Sequence, residues 1–154
     1  MIMRIAALTL VITMSCGAPP AAHSGDLSRT LPHPSLEPID VVRIVMNSLQ
    51  RNDDGGENRG IAITYNFASP ANKRMTGPLP RFILLVRGPV YGGMVNHKGA
   101  TYEKIIVKGR NARVDVIIRN ATGKFKGFRF SLSRQRGNQH NGSWMTDSVV
   151  PFDV

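Results

Sequence analysis

Few side chains in this sequence could move a proton, hold a metal or attack a carbonyl, and their spacing narrows the chemistry. Asp115, Asp147 and His97 are titratable groups set in or beside apolar-patterned segments, where a general acid or base could be built, and Tyr65 and Tyr91 add phenolic hydroxyls. Asp115 shares its strand parity with Arg113, while Val114 and Val116 take the opposite parity, so an ion pair on a solvated face is expected. Asp147 follows Trp144 and Thr146, which occupy the other parity. His97 stands between Asn96 and Lys98 at an expected turn, which predicts an exposed loop histidine. The four histidines, His23, His33, His97 and His140, are far apart and lack the helical spacing of a metal site, so no metal is expected. There is no Gly-x-Ser-x-Gly elbow and no glycine-rich phosphate loop after a strand. No cofactor is implied.

The one cysteine is Cys16, and it falls in the N-terminal stretch MIMRIAALTLVITMSCGAPPAAHS. Arg4, the apolar run Ile5 to Met14 and the small residues Ala22 and Ser24 have the layout of a secretory signal peptide over residues 1–24, cut after Ser24. The apolar run is about ten residues, short of the roughly 20 that a membrane-spanning helix needs. Lipidation at Cys16 is the alternative, although Thr13 and Met14 stand where such sites carry Leu and a small residue. Cleavage after Ser24 would leave an exported, periplasmic or secreted chain without a thiol, held together by its core. The sequence has 154 residues, 42% of them hydrophobic, which suits one domain. Its 20 Lys and Arg against 10 Asp and Glu give a net charge of +10, scattered rather than blocked, which favours anionic partners without naming one. The tripeptides Asn120-Ala121-Thr122 and Asn141-Gly142-Ser143 are glycosylation sequons that matter only in a eukaryotic secretory path.

Residues 25–34 contain two prolines and predict an extended linker, followed by a single domain over 35–154. A helix is expected from Pro38, capped near Ser35 or Glu37, with Ile39, Val42, Met46 and Leu49 on its buried face and an end at Arg51 or Asn52. A second helix is expected from Gly60 to Ala68, ended by Pro70, and a third from Gly77-Pro78, with Leu79, Phe82, Ile83 and Val86 inward. The intervening SPANKRMTG is expected to be loop, with Ser69, Asn72 and Thr76 bonding free backbone groups at the helix ends. From Tyr91 the period becomes two, and strands are expected over 91–97, 101–108, 112–120, 124–134 and 143–150. The sum is an α+β domain with N-terminal helices on a curved antiparallel sheet.

Two segments, YNFASPANKRMTGPLPRF at Tyr65 to Phe82 and WMTDSV at Trp144 to Val149, resemble an uncharacterised bacterial and plant family, domain of unknown function 4864. The resemblance covers about residues 35–150. It implies the cone-shaped, cystatin-like fold of the nuclear transport factor 2-like superfamily, whose members include isomerases, cyclases, dehydratases, ligand binders and domains without activity. The enzymes of that superfamily move protons with an Asp or His inside the cone, assisted by a Tyr or acid that steadies an oxyanion. Carried over, this makes Asp147, His97 and Tyr65 the catalytic candidates, with Asp115 and Tyr91 behind them.

Tyr65, Phe82, Tyr91 and Trp144, with Phe128 and Phe130, could line an apolar ligand cavity, and the same aromatics would serve any core of this architecture. The segment KFKGFRF, Lys124 to Phe130, matches part of an RNA-recognition signature, but Arg129 and Ser133 break it, so a nucleic-acid or anionic-surface binder is a minor alternative. The favoured expectation is an exported domain that binds a small molecule or a protein, entered between the third expected helix and the sheet. A small-molecule isomerase, dehydratase or cyclase is the enzymatic alternative. Protein association, including a homodimer, would use the sheet face bearing Arg113, Ile117, Arg119 and Arg129.

Overall fold

The computed structural model describes residues 31–154; the expected signal peptide, its cleavage after Ser24, Cys16 and the first part of the linker lie outside the described residues. Helix α1 (Pro38–Gln50) starts with Pro38 in its first turn, and the Asp40 carboxylate accepts a 3.0 Å hydrogen bond from the Glu37 backbone N–H. Its buried stripe is wider than the expected one. Val41, Val42, Met46 and Leu49 are fully buried and Val45 nearly so, whereas Ile39 is half-buried. Helix α2 (Arg59–Asn66) is bound to the end of α1 through the buried Asn52, whose side-chain oxygen accepts from Ile61 N–H at 3.0 Å and whose carbonyl accepts from Gly60 N–H at 2.8 Å. The two helices meet at Gly60, where an added Cβ would stand 2.0 Å from the Ser48 carbonyl oxygen.

The expected loop SPANKRMTG is instead mostly helix α3 (Pro70–Thr76). Ser69 takes an extended conformation and its Oγ accepts from Asn72 N–H at 3.2 Å, Pro70 fills the first turn, and Gly77 at φ 83° ends the element. Pro70 therefore opens a helix as well as closing the preceding one. Helix α4 (Leu79–Arg87) follows, with Phe82 and Val86 inward. The expected strand over 91–97 is absent: a 3-10 turn, Gly92–Met94, occupies it, and Asn96 is left-handed at φ 54°. With glycines at 92 and 93, this segment has too few side chains to hold a strand face.

Four strands remain, β1 (Gly99–Lys108), β2 (Asn111–Arg119), β3 (Phe125–Arg134) and β4 (Trp144–Phe152), antiparallel in the order β1-β2-β3-β4. Val114, Val116, Ile118, Phe128, Phe130 and Leu132 form the covered inner face beneath the helices. Two irregularities shape the sheet. In β1 the register shifts between Tyr102 and Ile105, and in β4 Ser131 pairs with Ser148 while Leu132 pairs with Thr146, leaving Asp147 as the extra residue of a bulge. The bulge resets the parity, so Thr146 before it, and Val149 and Pro151 after it, pair with the inner-face residues Leu132, Phe130 and Phe128 of β3. The link between α2 and α3 joins β4 there: Ala68 bridges Thr146, Ser69 N–H reaches the Thr146 carbonyl at 2.8 Å, and Thr146 N–H reaches the Phe67 carbonyl at 2.8 Å. No helix among the described residues is long and apolar enough to cross a membrane.

Candidate functional site: an apolar cavity ending on Thr146 and Asp147

Between the four helices and the β3–β4 side of the sheet lies a cavity of about 290 Å³. Val45 and Leu49 of α1, Phe82 and Val86 of α4, Met94 and Phe130 supply apolar wall. Met75 of α3 and Leu85 of α4 also line it while remaining 80% and 40% exposed, so they form its rim.

Polar groups gather where α3 meets β4. Asn72, Thr76, Thr146, Asp147 and Ser148 line this side, and Asn72 Nδ2 donates to the Thr146 carbonyl at 3.2 Å. Thr146 is 6% exposed, and its hydroxyl oxygen is buried without a hydrogen-bond partner, the only such side-chain atom among the described residues. A buried hydroxyl left unpaired costs about 1–3 kcal/mol, and this one is sealed from solvent, so a partner reaches it only when the wall around Thr146 shifts. Asp147, at the bulge, makes no side-chain hydrogen bond among the described residues, and it borders both this cavity and a depression on the outer sheet face beside Lys108 and Arg113. Tyr91 lines the cavity but its hydroxyl already donates to the Val149 carbonyl at 3.1 Å.

The other residues singled out from the sequence fall elsewhere. Tyr65 does not line the cavity; its hydroxyl donates to the Gly77 carbonyl at 3.2 Å and its ring packs against Phe82 at 5.2 Å, with Lys73 Nζ 4.8 Å above it. Trp144 is a core residue, 4% exposed, and does not reach the cavity either. His97 is not an exposed loop histidine: it is 4% exposed, and Nδ1 is 2.8 Å from the Met94 carbonyl oxygen. Burial pushes its pKa below the ordinary histidine value, against the opposing pull of that carbonyl. Asp115 faces away from the core in the expected ion pair, with Arg129 across the strands through two 2.8 Å hydrogen bonds, but it is largely buried there rather than solvated. Those bonds hold its carboxyl below the usual range. Phe128 and Phe130 are within the core, so their rings are closed to base stacking.

Of the sequence candidates, the cavity thus unites Asp147, Phe82 and Tyr91, and it omits Tyr65, Trp144, His97 and Asp115. Thr146 was missed, although a lone threonine in the parity of Trp144 was its signal. Among the described residues no three His, Cys, Asp or Glu side chains converge as a metal site would require. No family model, no curated protein and no solved structure matches this chain.

Proposed function

We propose that the chain is a binding protein for a medium-sized apolar molecule carrying one hydrogen-bond donor, such as an alcohol or an amine. The observation that carries this reading is the cavity itself, apolar over most of its wall, with the buried, unpartnered Thr146 hydroxyl behind its polar end. The volume of about 290 Å³ holds roughly ten water-sized groups. A carboxylate accepts hydrogen bonds and does not donate, so Asp147 beside Thr146 selects a donor headgroup and repels an anionic one. The cone-shaped fold that the resemblance to domain of unknown function 4864 implies is part of this proposal: the helices would close a curled sheet over a ligand. An exported location, following from the N-terminal signal-like segment, belongs to this proposal too.

A second reading is favoured by one specific fact: Asp147 and Tyr91 line the same cavity. They would be the acid-base and hydroxyl partners of a small-molecule isomerase or dehydratase. The Tyr91 hydroxyl is committed to a backbone carbonyl, which favours binding over catalysis.

Native and denaturing mass spectra of the purified protein, followed by titration of the emptied protein with 1-decanol and decanoate, test the proposal. Decanol should bind and decanoate should not compete, and Thr146→Val should weaken decanol about fivefold, the loss of one hydrogen bond. Equal binding of decanoate, or decanol binding indifferent to Thr146, would overturn it. If a turnover is found, its abolition by Asp147→Asn would establish the second reading.

A further inference from the structure

The cavity rim carries a pattern that the cavity alone does not require. Met75 is 80% exposed on α3, and Leu84 and Leu85 are 75% and 40% exposed on α4, with Val90 just beyond at 46%. Arg81, Leu84 and Leu85 fall at i, i+3 and i+4 and therefore share one helix face. Met75 and Leu85 line the opening and Leu84 shares the helix face of Leu85, so these exposed apolar groups adjoin a cavity mouth, which the exposed Ile105, Val107, Phe125 and Val150 of the strands do not.

Helices α2 to α4, which surround this surface, hold no carboxylate, although Asp147 of β4 lines the cavity beneath them. From residue 58 to residue 102 there is no Asp or Glu, while Arg59, Lys73, Arg74, Arg81, Arg87 and Lys98 fall in that span. Arg87 is engaged by Asp53 at 3.2 Å and by Asn58. Arg74 and Arg81 make no ion pair or hydrogen bond among the described residues, and both are exposed beside the rim. A second copy of the chain would bring a like-charged surface to this face, and the whole chain carries +10. A surface that presents apolar side chains flanked by guanidinium groups fits the boundary between acyl chains and anionic headgroups.

We infer that the α3–α4 rim docks on an anionic lipid bilayer, with Met75, Leu84 and Leu85 entering the headgroup–acyl boundary and Arg74 and Arg81 meeting lipid phosphates. Docking sets the cavity mouth against the membrane, so the ligand exchanges with the bilayer and not with water. The inference rests on the cavity being a binding site for an apolar donor molecule.

Flotation of the full chain with phosphatidylglycerol–phosphatidylcholine vesicles tests it, with phosphatidylcholine vesicles as the uncharged comparison. The chain should float with the anionic vesicles and lose most of that binding at high salt. Arg74→Glu with Arg81→Glu, and separately Leu84→Ser, should each reduce flotation at least tenfold while decanol affinity in solution stays unchanged. A sheet-face variant, Arg113→Glu with Arg119→Glu, should float like the parent. Equal flotation on uncharged vesicles, rim variants that float like the parent, or a dimer dispersed by Leu84→Ser in the absence of vesicles would overturn the inference. Decanol binding without flotation defeats docking and leaves the cavity reading intact; rim-dependent flotation by a chain that binds no decanol does the reverse.

Discussion

Thr146 is under two opposed demands. Its backbone is engaged on both sides, N–H to Phe67 and carbonyl to Ser69 and Asn72, while its hydroxyl is buried and left unpaired. Replacing it with valine, nearly the same shape without the hydroxyl, should raise the unfolding free energy by about 1 kcal/mol, because an unsatisfied buried polar atom disappears. The same change weakens decanol. Stability up and affinity down in one variant, read by urea denaturation and by titration, separates a binding residue from a packing residue. A fall in stability would instead mean that the hydroxyl is satisfied in the folded protein. Such trade-offs are common where a site keeps a polar group ready for a ligand.

The elements that place Thr146 are held by contacts of opposite character. Asn52 ties α1 to α2 by hydrogen bonds, whereas Gly60 lets the two helices touch by having no side chain. Gly60→Ala must push α2 away from the Ser48 carbonyl, and the expected cost is about 2 kcal/mol, seen as a lower urea midpoint with an unchanged m-value. Any gain in stability, as helix propensity alone predicts for Gly→Ala, would show that the helices are not in close contact. Helix α3 is the element that periodicity failed to reveal. Its seven residues bury no side chain fully, so no apolar stripe announced it, and the signal was the cap, Ser69-Pro70 before and Gly77 after. Strands β2 and β3 were legible because alternation over nine and ten residues leaves one covered face. The bulge at Asp147 was not, since one extra residue shifts pairing without altering local composition.

At the scale of the whole molecule, pH reports how the core is closed. His97 is buried with a lowered pKa, so below the ordinary value of about 6.5 the unfolded chain takes up a proton that the folded chain refuses. The stability contribution is fully present above that value and is lost as pH falls through the folded pKa. Asp115, depressed by Arg129, adds a second loss below the ordinary carboxylate value of 3.8. His140 is shifted downward too, first by burial and then by Lys73, so it adds to the first decline. His97→Gln should flatten the decline between neutral pH and pH 5 in part, measured by urea unfolding along a pH series. An unaltered slope would place the titration elsewhere. The sequence by itself determined the class of the fold, helices before an antiparallel sheet, because hydrophobic period is local and a covered face needs a complementary layer. It also determined the basic balance and the absence of carboxylates from 58 to 102. Only the tertiary structure decided that Asp147 and Tyr91 share a cavity while Tyr65, His97 and Trp144 do not, and that Thr146 lines it with its hydroxyl buried and unpaired. Those facts depend on a bulge, a short capped helix and the crossing of chain segments far apart in sequence, such as Asn72 against Thr146, 74 positions on. No local pattern encodes such distances, because cavity walls are set by how whole layers pack.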